Sequence, residues 1–484
     1  MNRRLSQLLS IVGLLALIIA LPLRAVVAQD STGTTTRVSV SSSGDQAPYQ
    51  ASGDPTISAD GRYVVFSSSA SNFVAGDMNG TGDIFVHDRQ TNQTTLVSVS
   101  SGGAQGNDDS FDSAISGNGR YVTFASNADN LVAGDTNYDS DIFVHDRQTG
   151  QTTLVSANSG GAQGNNGSID PAISADGRYV AFESSASNLV PEDVYIEWDI
   201  FVHDRQEGTT SRVSVSSVGE GGSSWSTRPS ISADGRFVAF QSYASNLVEW
   251  DTNLTYDVFV HDRQTGQTNR VSVSSSGAQG NDGSADPTIS ANGRYVAFLS
   301  GASNLVSGDT NDNVDVFVYD RQTGQTSRVS VSSSGVQGNY GSYNPTLSTD
   351  GHIVAFNSDA TNLVIGDTNG QNQIWYGTDI FVHDRNSGQT SRVSVSTGGT
   401  QGNFASVFPA LSADGQFVAF ESGASNLVVE DTNSAGDVFV HDRGEQGTGG
   451  YSIAGFVPGL VDAHTHPAAA RRSSCPIRSA VVPS

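Results

Sequence analysis

Seven near-copies of one unit occupy almost the whole 484-residue chain, each ending in Asp-(Ile/Val)-Phe-Val-(His/Tyr)-Asp-Arg. The fifth residue of that heptad falls at His87, His145, His203, His261, Tyr319, His383 and His441, so successive copies lie 58 residues apart, except for one step of 64. A fixed period of this length signals a repeat architecture, and the contents of the unit decide which one. In the third copy the apolar run Asp170–Ser174 leads through Ala175-Asp176-Gly177 into Arg178–Ser184. An Asp-Gly or Asn-Gly pair between two β-type runs is a strong hairpin signal, because these residues tolerate positive φ. The pair recurs in every unit, from Asp60-Gly61 to Asp414-Gly415. A third strand over Asp199–Arg205 and a fourth over Thr210–Ser216 complete the unit, and no stretch shows helical periodicity. Ile200 and Val202 point one way along strand three, Phe201 and His203 the other. Both faces are largely apolar, as expected of a sheet sandwiched between two like sheets.

Four strands per unit and seven units predict an all-β, seven-bladed β-propeller of four-stranded antiparallel blades over residues 29–443. The last unit lacks its fourth strand, while Thr35–Ser41 stands unpaired before the first. The N-terminal strand is therefore expected to complete the last blade, closing the ring and removing exposed sheet edges. Closure of this kind would replace disulfides, since Cys475 is the only cysteine.

The pairing of Pro171-x-Ile173-Ser174-x-Asp176-Gly177-Arg178-Tyr179-Val180-Ala181-Phe182 with Asp-Ile-Phe-Val-His-Asp-Arg resembles the TolB-like, WD40-like (PD40-type) β-propeller repeat family. The resemblance covers about Asp54 to Arg443. It implies a propeller and, often, protein binding outside the cytoplasm. Periplasmic TolB proteins have six blades and a further N-terminal domain, so their particular role does not carry over. Similar repeats also form the non-catalytic propeller of some serine peptidases.

The two ends differ from the array. Residues 1–28 read as a secretory signal peptide: Arg3 and Arg4, the apolar run Leu8–Leu23, then small residues at Val26 and Ala28. A secreted or extracytoplasmic protein (periplasm or cell surface) with no membrane span after cleavage is expected. Without the three arginines of that segment, the balance falls from 24 basic against 49 acidic residues to 21 against 49, a net charge of about −28. Such a surface repels phosphate backbones, so no nucleic-acid partner is expected. Residues 444–484 form a tail read as disordered or as a truncated following domain. In it, Val457-Pro-Gly-Leu-Val-Asp462-Ala-His464-Thr-His466 matches the first metal-binding strand of amidohydrolases, yet only 18 residues follow His466. Two histidines need at least one further ligand to make a catalytic zinc site.

Three groups of residues could carry function. The repeated histidines are read as structural hydrogen-bonding groups, and the aspartates that follow them as caps for turn amides. The acidic loops before strand three place oxygens in alternation: Asp77, Asn79 and Asp83; Asp135, Asn137 and Asp141; Asp251, Asn253 and Asp257; Asp309, Asn311 and Asp315; Asp431, Asn433 and Asp437. That pattern suits calcium, and equally an Asx-turn in which Asp and Asn cap their own backbone. Trp198, Trp225, Trp250, Trp375, Tyr195 and Tyr376 fall in the long loops, where large rings with no strand core to fill are candidate ligand contacts. No Gly-x-Ser-x-Gly elbow is present. The expectation is a monomeric, non-catalytic scaffold presenting a loop face to a protein, peptide or glycan. The alternatives are the propeller part of an extracytoplasmic hydrolase lacking its catalytic module, and a purely structural envelope repeat protein.

Overall fold

A computed structural model describes Asp30 and residues 33–193, 197–369 and 377–444. Within them lie 28 strands, β1 to β28 in chain order, arranged as seven four-stranded antiparallel sheets. Blade three is representative: β10 (Ser168–Ile173), β11 (Tyr179–Ser184), β12 (Asp199–Asp204) and β13 (Thr209–Arg212) pair in sequence order. All six residues of β12 are buried, as the apolar pattern on both of its faces requires. Phe182 stacks on Phe201 with centroids 6.0 Å apart, and the same pair recurs from blade to blade.

The ring closes as expected. β1 (Thr34–Arg37) pairs with β28 (Asp437–Asp442), which continues into β27 (Phe417–Ser422) and β26 (Ser406–Leu411). Just before β1, Asp30 accepts from the buried Arg392 of blade six at 2.8 Å. The fourth strands are shorter than the sequence suggested, ending at Arg212 rather than Ser216 in blade three and at Arg37 rather than Ser41 before blade one. A serine side chain explains the early end. Ser214 Oγ accepts the Ile200 N–H at 3.1 Å and donates to the Asp199 carboxylate at 2.5 Å, taking the place of a backbone partner.

The first hairpin of each blade packs closely against its neighbour. Gly177 sits at φ +77°, and a Cβ there would lie 2.1 Å from the Tyr121 ring of the preceding blade, so glycine is required twice over. The hairpin tips also bond to one another. Ala59 N–H donates to Gly117 C=O, Gly117 to Ala175, Ala175 to Ala233, Ala233 to Ala291, Ala291 to Thr349, Thr349 to Ala413, and Ala413 back to Ala59, at 2.8–3.1 Å. These bonds form a closed cycle around the axis.

Removing β1 would expose β28 as an edge strand and break the cross-pairing that holds blade seven to the N-terminus. Deleting residues 30–38 is expected to cost roughly 3–5 kcal/mol, at about 1 kcal/mol per lost hydrogen bond with added edge exposure. Thermal melting with size-exclusion chromatography checks this. A monomer that melts like the parent would contradict it.

Candidate functional site

The repeated histidines lie between blades. His87 Nδ1 is 2.9 Å from Thr94 Oγ1, and that hydroxyl donates at 2.5 Å to the Val40 carbonyl of the connection from the preceding blade. Since the hydroxyl donates to a carbonyl, the ring nitrogen must donate to it. His441 makes the same contact with Thr35 at 2.9 Å, tying the last blade to the first strand. Burial pushes His87, His261, His383 and His441 down to about 4, so these rings are neutral at ordinary pH. The aspartate after each histidine caps a turn amide, as Asp88 does for Gln90 N–H at 3.0 Å. In blades one to five it also holds a bidentate arginine, as with Arg62 and Asp88 at 2.8 and 2.6 Å.

The acidic loops are internally satisfied to different extents. Asn79, Asn137, Asn253 and Asn311 each donate to a glycine carbonyl 27 residues on and accept a backbone N–H two residues on, the geometry of an Asx-turn. Asn433 accepts the Ala435 N–H in the same way and donates to Asp437 at 3.1 Å. The two aspartates of each loop face one another. In five blades an arginine from the end of the fourth strand lies between them: Arg270 is 3.4 Å from Asp251 and 3.3 Å from Asp257, and Arg328 is 3.2 Å from both Asp309 and Asp315. Arg37 serves Asp431 and Asp437 at 3.3 and 3.5 Å, while Arg212 and Arg392 do the same in blades three and six. A guanidinium already supplies the positive charge there, and these five loops do not fit a calcium ion. In blades one and two, Leu96 and Leu154 stand where the arginine would be. There only the amide of Gln105 bridges Asp77 and Asp83, at 2.7 Å to each, and Gln163 bridges Asp135 and Asp141 at 2.6 and 2.7 Å. Burial pushes Asp141 up to about 6.

The structure separates the tryptophans. Trp225 and Trp250 are exposed. Trp198 is half-buried, with its ring edge against Gly167 and its carbonyl accepting the Ser226 N–H. Trp225 C=O in turn accepts the Tyr243 N–H at 2.9 Å, and the Tyr243 and Tyr256 rings meet edge to face at 4.8 Å. These groups therefore gather at the loop end of blades three and four. Tyr195, Trp375, Tyr376 and the tail histidines lie outside the described residues.

A further set of residues was not foreseen. Each first strand carries a β-bulge, and the bulged residue, which precedes a proline in six blades and Ser113 in blade two, sits at positive φ in all seven. These residues are Asp54, Asp112, Asp170, Arg228, Asp286, Asn344 and Phe408, at φ 47–58°. Backbone strain costs on the order of 1 kcal/mol at such a position and clusters at functional sites. Together the seven line a cavity of about 300 Å3 on the propeller axis. A second depression of about 530 Å3 joins it at Asp54 and runs over the ends of the first two strands on the loop face. Side chains from neighbouring second strands fix the bulges: Glu183 accepts the Arg228 N–H at 2.9 Å, and Gln241 accepts that of Asp286 at 2.8 Å. Glu421 accepts from Asp54 in the same manner.

The channel is charged. Arg228 reaches Asp170 at 3.6 Å and Asp286 at 3.9 Å. Burial, followed by the nearby Asp170 and Asp54 carboxylates, pushes Asp112 up to about 7. Burial and Asp170 push Glu183 to about 7, and burial and Asp54 push Glu421 to about 7. Asp54 and Asp286 are raised as well, mainly by burial. The sequence carries a trace of the channel: between a serine that opens the first strand in every copy and the proline that follows in six, one position reads Asp, Asp, Asp, Arg, Asp, Asn, Phe.

No family model and no curated protein matches the chain. Among solved structures, an oligogalacturonate lyase in complex with manganese is similar at TM-score 0.51 and 12% identity, over 87% of this chain and 95% of that one. An oligogalacturonate lyase from Vibrio parahaemolyticus is similar at TM-score 0.51 and 13% identity, over 87% and 96%. Structural neighbours also include a putative TolB from Agrobacterium tumefaciens, at TM-score 0.36 and 18% identity over 58% and 80%. The likeness is one of fold.

An acid held above its unfolded pKa binds more protons folded than unfolded, so the channel carboxyls lower stability as pH rises. The loss starts near pH 4, where the unfolded groups ionise, and is complete above about 7, where the folded ones do. Asp112→Asn should therefore melt with the parent at about pH 4 and roughly 2–4 °C above it at about pH 8. Equal melting at both values would contradict the account of the channel.

Proposed function

We propose that this chain is an extracytoplasmic, non-catalytic binding protein that takes a peptide or glycan on the loop face of its propeller. The observation that carries the reading is the group of rings at blade four: Trp225, Tyr243 and Tyr256 on a rigid strand framework, with Trp225 half exposed and Trp250 beyond it. Exposed rings that fill no core cost solvation, which a ligand face would recover. Trp225 stands three residues from Arg228 along β14 (Ser226–Ile231) and its approach, about 10 Å at the rise of a strand. A ligand resting on the rings would thus cover part of the channel mouth.

Export is inferred from residues 1–28 alone. No helix among the described residues is long and apolar enough to cross a membrane. Calcium is retained as an expectation only for blades one and two, where the chain supplies no guanidinium to the aspartate pair. An enzymatic reading has one observation in its favour: carboxyls near 7 in a cavity suit proton transfer at neutral pH. The lyase neighbours add fold alone to that reading.

Glycan and peptide arrays probed with the mature chain test the proposal. Captured ligands are expected to lose at least about tenfold in affinity on Trp225→Ala or Tyr243→Ala. Ligands that ignore both substitutions, or arrays that capture nothing, would overturn the loop-face reading.

A further inference from the structure

The channel has one arc whose carboxylates are ion-paired with a guanidinium and one whose carboxylates are not. Around the axis the bulge positions run Asp54, Asp112, Asp170, Arg228, Asp286, Asn344, Phe408. Arg228 sits between Asp170 and Asp286 and faces both. On the other side, Asp54 and Asp112 adjoin each other with Glu421 behind Asp54; Arg228 is ion-paired with neither, although its charge across the channel partly offsets the upward shift of both carboxyls.

Two further features mark this arc. Six blades place proline after the bulge, whereas blade two places Ser113 there. Ser113 is 8% exposed and lines the cavity, yet its Oγ meets no hydrogen-bonding group of the protein. A buried hydroxyl without a partner is costly unless something else satisfies it. The last bulge position, adjacent to Asp54 around the ring, carries the partly exposed ring of Phe408. An aromatic face beside carboxylates attracts an organic cation through its quadrupole and accommodates the attached methylenes.

We propose that the arc formed by Asp54, Asp112, Ser113 and Phe408 binds an organic cation, a primary ammonium or guanidinium group on an aliphatic stem. Arg228 shows how such a group fits, because a guanidinium already bridges the carboxylates of the opposite arc. The shape of the site disfavours a bare metal ion: among the described residues no three acidic or imidazole groups converge closely enough to hold one. The carboxylates would accept from the cation, Ser113 Oγ would accept one more N–H, and Phe408 would flank the stem. Ionisation of Asp112, whose carboxyl is held near 7 by burial and by Asp170 and Asp54, would accompany binding. Tightening with rising pH follows, and Glu183 and Glu421, near 7 themselves, would add to it. This site concerns the channel and stands independently of whether the rings of blade four hold a ligand.

Isothermal titration of the mature chain with putrescine, agmatine and, separately, magnesium and manganese chloride tests the proposal, at about 0.15 M salt to suppress diffuse attraction to the acidic surface. One amine per chain is expected to bind saturably, more tightly at pH 8 than at pH 5. Asp112→Asn should weaken it at least about tenfold. Ser113→Pro, which installs the residue found in the other six blades, should weaken it about threefold or more. Asp312→Asn, on an exposed loop, should leave it unchanged, and each variant's melt reports that it is folded. Absence of amine binding, binding that survives Asp112→Asn in a folded variant, or competition by magnesium or manganese at equal concentration would each overturn the assignment.

Discussion

Seven backbone hydrogen bonds, one from each first hairpin to the next, run head to tail around the axis and close between Ala413 and Ala59. Most of what is distinctive in this chain depends on that cycle. It holds the seven hairpin tips at a common radius, which brings seven first strands side by side and points their bulged residues into one cavity. A missing or slipped blade would break the cycle, and the outer bond between β1 and β28 guards against that. Ring closure is thus secured twice, at the axis by hairpin tips and at the rim by a strand from the far end of the sequence.

The two kinds of position in the repeat follow from this geometry. Residues facing neighbouring blades, such as Phe201, Val202 and His203, must fit the same environment seven times and hardly vary. Residues facing the axis meet only one another and the solvent of the channel. There the blades differ, with four aspartates, an arginine, an asparagine and a phenylalanine. The strain of a positive φ is tolerated at all seven because the flanking ladder and the capping side chains, Glu183 and Gln241 among them, over-determine the bulge.

Much of this was legible in the sequence. The Asp-Gly hairpins, the doubly apolar third strand and the unpaired N-terminal strand led to blade number, strand order and closure. The Asp and Asn of the acidic loops were legible as turn formers or ion ligands. In blades four and five the turn reading is favoured by Arg270 and Arg328 at the end of a fourth strand, 13 residues beyond the second aspartate of the loop. Sequence spacing alone does not show that these ends meet. The channel is not legible in the sequence for a different reason. Period-two alternation predicts which way a strand residue points, but a bulge inserts one residue and resets the alternation, so Asp112 and Arg228 turn to the axis without any local hydropathy signal. The exposed tryptophans drew attention to the loops, whereas the strand beneath them held the more unusual chemistry.

The axis of this propeller holds closely spaced carboxyls whose ionisation is opposed by burial and by one another. Carbon-13 NMR titration of the side-chain carboxyls, assigned by single Asn or Gln substitutions, measures this directly. The account predicts midpoints near 7 for Asp112, Glu183 and Glu421. Midpoints for all three in the ordinary range near 4 would mean a wide, well-solvated channel and would contradict it.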